Sequence, residues 1–284
     1  MEGARHFVYR WYPELALVAI GAGFFVYPKL GFVLAWFFFW TTAATFSSTI
    51  LLHRAATHGA LKLHPAVTLA FRILNWLTTG MELPTWVALH RKHHASPDRL
   101  GDPHSPVLEG LWRIQIFQVW YYRRAIKEMK AIPGEFERFS AGTPNDWLER
   151  YVFSSCLNSV GVVVMAVFVL YFFGWQWAMP IWLVQMAWMP LAGGEINGAG
   201  HSALSRDPVS AYAKNIVTVD RMLGGEALHG NHHLAPKAGI FAWRRGEVDG
   251  SAWLICLLER WGLAWDVYRF DGERVACTAR SSGA

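Results

Sequence analysis

The sequence predicts an all-α integral membrane protein, with four transmembrane helices in two hairpins and a cytosolic helical cap. Three observations predict it. Four long apolar runs interrupt a chain of 284 residues that is 53% hydrophobic. Their interiors hold no Lys or Arg, and of 26 basic residues only Lys29 lies in a hairpin turn. Nine of the 12 histidines cluster just outside these runs.

The first run, Leu15 to Tyr27, is closed by Pro28 and Lys29. On its own it rises only about 20 Å as a helix, less than the ~30 Å hydrocarbon core, so Trp11 and Tyr12 extend it into the interface. The expected span is 12–28. The second, 30–52, is long enough to cross alone, and Pro28 makes the turn between them. The third and fourth spans, 151–174 and 178–197, form the second hairpin, with Pro180 near the start of the fourth. The positive-inside rule then places the N-terminal arm, the central segment and the C-terminal segment in the cytosol. The whole of 1–284 reads as one domain, its cap built from 53–150 and 198–270. No short apolar core with a small-residue cleavage site opens the chain, so no cleaved signal peptide is expected.

Two cap segments read as interfacial. Leu108, Leu111, Trp112, Ile116, Val119 and Trp120 recur at helical spacing among Arg113, Arg123, Arg124 and Lys127, the pattern of a basic amphipathic helix lying on a membrane. Val67, Phe71, Leu74 and Thr78 make a weaker stripe before Pro84. The net charge of +5 fits contact with anionic lipid rather than nucleic acid. The cysteines Cys156, Cys256 and Cys277 are scattered and suggest neither a disulfide framework nor a zinc finger. The tail after Arg269 is polar.

The histidines carry the chemistry. They form His53-Arg-Ala-Ala-Thr-His58, His90-Arg-Lys-His93-His94 and His229-Gly-Asn-His232-His233, with His201 standing four residues after Asn197. In His-x-x-His-His a helix puts the first and last on one face and offsets the middle one. Such a triplet gives two ligands to one metal and a third to another. Nine nitrogens exceed the capacity of one ion, and two first-row ions are the simplest answer. Zinc usually takes four ligands and its structural sites favour thiolate, whereas imidazole also suits iron. An oxygen-activating di-iron centre uses such a set. His6 and His64 read as ordinary core or interface residues.

These motifs resemble the membrane-bound fatty-acid desaturases, particularly the branch with stearoyl-CoA and acyl-lipid delta-9 desaturases. The likeness covers roughly Thr49 to Phe270. His-Arg-Ala-Ala-Thr-His resembles that family's first box. His90 through the stretch Asp102-Pro103-His104-Ser105-Pro106 resembles its second, Asn197-Gly-Ala-Gly-His201 its Asn-x-x-x-His element, and Gly225-Glu226 through His233 its third. The resemblance implies two iron ions held by His53, His58, His90, His93, His94, His201, His229, His232 and His233, with Asn197 binding through a metal-bound water. It implies a reaction that removes two hydrogens from a fatty acyl chain with O2 and two electrons, leaving a cis double bond.

Departures from the family pattern are specific. Gly59 stands where the first box is usually followed by Arg. Ala88 and Leu89 replace an Arg-Asp pair that helps hold CoA in animal-type enzymes. Arg123 and Arg124 fall near another basic pair used for the CoA headgroup, or else contact lipid phosphate. Asp102 and His104 read as braces for the second box.

Electrons come from outside, because the chain has no haem-attachment motif, no cysteine cluster, no dinucleotide fingerprint and no fused haem domain. A ferredoxin, rubredoxin or cytochrome b5 is expected to dock on the basic cap. The acyl substrate is linked to CoA or to a lipid, in contact with membrane lipids. The alternative is a related oxidation on the same ligands, hydroxylation or a terminal-alkene-forming decarboxylation. A non-enzymatic metal-binding protein or channel would place ionisable residues within the spans, and the central parts of the long runs contain none.

Overall fold

The apolar runs fold as helices joined by one-residue turns. The structure, a computed structural model, describes residues 12–202, 207–208, 213–216 and 223–270. The N-terminal arm with His6, and all of the tail beyond 270, lie outside them. Helix α1 (Tyr12–Val26) returns through Tyr27 into α2 (Pro28–Ser47). Pro28 suits the first turn, where no amide donor is needed. The expected end of the second span at 52 is not a break. The same rod continues as a π-helix over Ser48–Thr57, giving one apolar helix of 30 residues. Among the described residues it is the one helix long and apolar enough to cross a membrane, so the expected four crossings reduce here to a single candidate by length and composition.

The third expected span also starts later than the apolar pattern suggests. A π-turn occupies Glu149–Phe153, and α8 begins only at Asn158 and runs to Phe173. Serines end the earlier helix: Ser154 Oγ donates to Glu149 Oε1 at 2.5 Å and Ser155 Oγ to the Tyr151 carbonyl at 2.8 Å. Such side-chain bonds offer the backbone an alternative to helix. Gly174 (φ 75°) turns the chain into α9 (Trp175–Gly200). Met165, Val169, Phe173 and Ile181 pack with Trp36, Trp40 and Trp182 between α2, α8 and α9, and the Trp36 indole donates to Gln185 Oε1 at 2.8 Å.

Between the hairpins lie β1 (Lys62–Leu63), α3 (Pro65–Thr78), α4 (Leu83–Ala95), α5 (Pro106–Glu109), α6 (Leu111–Ala131) and α7 (Glu135–Phe139). His64 starts α3 by accepting the Ala66 amide on Nδ1 at 3.2 Å, a capping role. Val67 and Phe71 of α3 pack against the core of Ile50, Leu61 and Ile255. Helix α6 buries Ile114, Gln118, Tyr121, Ala125 and Met129 and leaves the expected apolar stripe outside, with Trp112 71% and Ile116 64% exposed.

After α9 come the paired strands β2 (Asp207–Pro208) and β3 (Lys214–Asn215), then α10 (His229–Leu234), α11 (Gly250–Arg260) and β4 (Ala264–Trp265), which pairs antiparallel with β1. Cys156 is a free, exposed thiol.

Candidate metal centre

His58 follows His53 by five positions, a spacing that puts two side chains on different faces of an α-helix. The π-helix repairs this. Its backbone hydrogen bonds run from residue i+5 to i, as in His58 N–H to the His53 carbonyl (3.3 Å), and the Thr57 hydroxyl donates alongside to the Leu52 carbonyl (2.8 Å). Residues five apart then stack one turn above the other, and the two imidazole centroids lie 5.2 Å apart. Gly59 ends the turn at φ 61°, a conformation that favours glycine and accounts for its presence where the family pattern has Arg.

The two His-x-x-His-His triplets sit on the last turns of α4 and along α10. They divide their ligands crosswise. His90 and His94 join His53, His58 and His232 in one group, while His229 and His233 join His93 and His201 in the other. In each group the ligand atoms all lie within 4.8 Å of one another. His232 Nε2 is 3.0 Å from His53 Nε2, 3.4 Å from His90 Nε2 and 2.8 Å from His94 Nε2. His229 Nε2 is 3.0 Å from His201 Nε2 and 3.1 Å from His233 Nε2. All nine histidines named from the sequence are therefore brought together.

One proton per imidazole cannot satisfy so many converging nitrogens, and a shared cation can. Carboxylates behind the rings fix which nitrogen faces inward. Glu226 Oε2 lies 2.5 Å from His53 Nδ1, Asp102 lies 3.0 Å from His93 Nδ1, and Asp98 Oδ2 lies 2.8 Å from His201 Nδ1. Each holds the proton on Nδ1 and leaves the Nε2 lone pair for a metal. His58 Nε2 is buried with no hydrogen-bond partner, an orphan that a metal ion would satisfy. Burial keeps the rings neutral: His94 is pushed down to about 3, and His90, His93, His229, His232 and His233 lie well below their ordinary value. Burial pushes the Glu226 carboxyl up to about 8 against the opposing pull of Arg54, and a cation at the centre would favour the ionised carboxylate that accepts from His53 Nδ1. The donor set therefore fits a pair of first-row ions.

His104 stacks against His93 with centroids 4.4 Å apart, and its amide donates to Asp102 Oδ1 at 3.0 Å, the bracing position expected. Asn197 lies one turn before His201 and donates its amide to the Tyr122 hydroxyl at 3.1 Å. The Tyr122 oxygen also accepts from Gln118 Nε2 at 2.6 Å, and burial pushes the hydroxyl up to about 12.

A cavity of about 1080 Å³ reaches the centre along His53, His90 and His229. Trp86, stacked on His90 at 4.8 Å, and Leu89 form part of its wall, and Arg123, Lys127 and Lys130 line it from one face of α6. Arg124 does not line it. Its guanidinium donates to Glu109 Oε1 at 2.8 Å, lies 3.4 Å from Glu128 and packs over Trp120 and Tyr121. The expected pair Arg123 and Arg124 is thus split, because adjacent residues on a helix point about 100° apart; Lys127 and Lys130, a turn or two on, share the face of Arg123.

The fatty acid desaturase family model matches residues 30–245. The chain belongs to the fatty acid desaturase family. It is 28% identical to an acyl-CoA 5-desaturase of Anemone leveillei over 83% of this chain and 73% of that one. It is 26% identical to an sn-2 palmitoyl-lipid 9-desaturase of Nostoc sp., covering 85% and 86%, and 25% identical to a hex-5-enoyl-[acyl-carrier protein] acetylenase of Moorena producens, covering 76% and 70%.

Several supporting residues of this desaturase were not singled out from the sequence. Arg54, fully buried inside the first box, donates to Asp249 at 2.9 and 3.1 Å, to the Gly239 carbonyl at 3.0 Å and to the Gly224 carbonyl at 3.2 Å. It ties the first box to the third. Gly225 (φ 92°) lets that carboxylate approach, since a Cβ there would lie 2.2 Å from Asp249 Oδ1. Asn231 inside the third box donates to the Phe241 carbonyl at 2.7 Å and to Glu247 at 2.8 Å. Acidic or amide residues adjoining each box were the available signal. Replacing Asp102 by Asn should weaken metal binding about 10–100-fold by freeing the His93 tautomer. Competition with a chelator measures this, and unchanged affinity would detach Asp102 from the centre.

Proposed function

We propose that the chain is a di-iron, O2-dependent fatty acyl desaturase that introduces a cis double bond. The observation that carries this reading is the pairing of two histidine groups with one cavity long enough to bring a substrate to them. His53, His58, His90, His94 and His232 would hold one iron, and His93, His201, His229 and His233 the other, with Asn197 orienting a water. Bound there, the metal pair with O2 would supply the oxidising power that an unactivated methylene requires. The protein's part is placement. Trp86, Leu89 and Ile196 give the cavity apolar wall that favours an acyl chain over water. Glu226, Asp98 and Asp102 keep the ligating nitrogens aimed.

The charge at the cavity supports an anionic headgroup on the acyl substrate. Arg123, Lys127 and Lys130 are exposed along one face of α6 and offer three positive charges to an anionic headgroup. Ala88 and Leu89 are buried, so the animal-type CoA contact has no counterpart at those positions. The relatives' names span CoA, lipid and acyl-carrier protein. The acetylenase among them favours keeping a second outcome in view, a related oxidation such as hydroxylation or terminal-alkene formation on the same ligands.

For the membrane arrangement we infer four spans, 12–28, 30–52, 151–174 and 178–197, with the cap and both termini in the cytosol. Exposed apolar side chains on all four helices support it, among them Phe25 (93%), Phe32, Tyr171 (82%) and Val184. The absence of Lys and Arg from the run interiors supports the orientation. The outward stripe of α6 would then rest in the lipid interface.

Expression in a host followed by gas chromatography–mass spectrometry of its lipids should reveal a new monounsaturated acyl species that a His233→Ala variant does not make. Hydroxylated or terminal-alkene products would move the assignment to the second outcome. The double variant Arg123→Ala/Lys127→Ala should raise KM at least several-fold with kcat little changed, while Arg124→Ala should leave KM near wild type. Equal effects of both would remove the headgroup role from the inward face.

A further inference from the structure

The wall of the large cavity is not uniformly apolar. Where α6 packs on α9, Gln118, Tyr122 and Asn197 stand together on it. Their mutual hydrogen bonds leave two groups over. Gln118 Nε2 donates to the Tyr122 hydroxyl at 2.6 Å, and Asn197 Nδ2 donates to the same oxygen at 3.1 Å. The Tyr122 oxygen thus accepts twice, and none of the described residues accepts its proton. Gln118 is 5% exposed, yet its Oε1 has no partner. One donor and one acceptor therefore remain side by side on the wall. Turning the Gln118 amide over would satisfy the Tyr122 proton and leave the amide N–H groups without an acceptor instead. In either orientation Gln118 keeps a free polar end, which a buried amide does not keep without a reason.

The backbone makes room for this amide. Gly193 and Gly194 stand in succession inside an apolar helix, where glycine is unfavourable. A Cβ on Gly193 would lie 2.8 Å from Gln118 Nε2 and 3.1 Å from its Oε1, and one on Gly194 would lie 2.6 Å from the Gln115 carbonyl. The two glycines let α6 approach α9 closely enough for Gln118 to reach the cavity. The chemistry of the leftover groups selects their partner. A ligand hydroxyl accepts from Tyr122 and donates to Gln118 Oε1, so one group serves both. A carbonyl could serve only Tyr122, and a methylene neither. The basic face of α6 sets how far along a substrate this lies. Lys127 and Lys130 follow Gln118 by nine and twelve positions on the same helix, about 14–18 Å at 1.5 Å per residue. A headgroup held by those lysines puts Gln118 at the middle carbons of a long chain.

We propose that Gln118 and Tyr122 form a subsite for a hydroxyl group on a mid-chain carbon of the acyl substrate, so that the protein selects hydroxylated over plain chains. The proposal rests on the reading of this cavity as an acyl-chain site. Held at its headgroup and at its hydroxyl, a chain has one register past Asn197 and the histidines, whereas a plain chain can slide.

Binding tests this without turnover. Full-length, metal-loaded protein in lipid nanodiscs is kept free of O2 and loaded with radiolabelled octadecanoyl-CoA. Unlabelled octadecanoyl-CoA then competes with a set of its derivatives, each carrying one hydroxyl on a different mid-chain carbon. At least one derivative should displace the label several-fold more effectively than the plain chain, the effect of one or two net hydrogen bonds. Gln118→Leu should reverse the order, tightening the plain chain and weakening the hydroxylated one. Tyr122→Phe, which removes the donor alone, should erase most of the preference. A residue with only a packing role would move both chains alike. Equal displacement by every chain in the wild type, as for a subsite that holds water only, would overturn the proposal. So would a preference that survives both substitutions, or no binding of any chain as CoA thioester or free acid. A protein that oxidises host lipids but shows no preference loses this proposal alone. One that shows the preference and makes no oxidised lipid loses only the proposed reaction.

Discussion

Everything in this protein depends on aiming nine imidazole lone pairs at two points in space. An imidazole left to itself shares its single proton between two nitrogens and turns freely. Here carboxylates accept a hydrogen bond from the outer nitrogen of His53, His93 and His201 and so keep the proton there. Burial removes the charged form as a competitor. What remains at the centre is a concentration of unpaired lone pairs that a pair of cations would satisfy. The arrangement is costly to hold without metal, which couples metal binding to the integrity of the cap.

The helices exist in the form they do to serve that aim. The rod that starts as α2 carries His53 and His58 into the centre by changing to π winding rather than by ending, so the apolar rod and the first histidine box form one piece. Buried Arg54, inside the first box, grips Asp249 and the Gly224 and Gly239 carbonyls that flank the third box. Removing one partner of such a buried pair costs about 3–5 kcal/mol. The second and third boxes lie on separate helices, and their i, i+4 pairs interlock so that each triplet feeds both groups.

Much of this was legible in the sequence, and the reasons for the rest are physical. Histidine spacing is local information, so the nine residues and the two-plus-one use of each triplet could be read from i, i+4 geometry. The spacing of His53 and His58 could be read as a motif but not as a π-helix, because no propensity distinguishes that winding from an ordinary turn. Apolar runs marked the hairpins but not their ends: Ser154 and Ser155 stop a helix inside a run that hydropathy alone extends to Tyr151. Adjacent Arg123 and Arg124 looked like one basic pair until helical geometry sent one to the cavity and the other to Glu109. Glu226, Asp98 and Arg54 act across long sequence separations, which no local pattern encodes.

The central claim is that two metals sit in two separate histidine groups of five and four ligands. Anomalous diffraction at the iron edge, on crystals of the protein purified with iron, tests it most directly. The account predicts two peaks, one enclosed by His53, His58, His90, His94 and His232 and the other by His93, His201, His229 and His233. A single peak shared by both groups, or iron bound outside them, would contradict it.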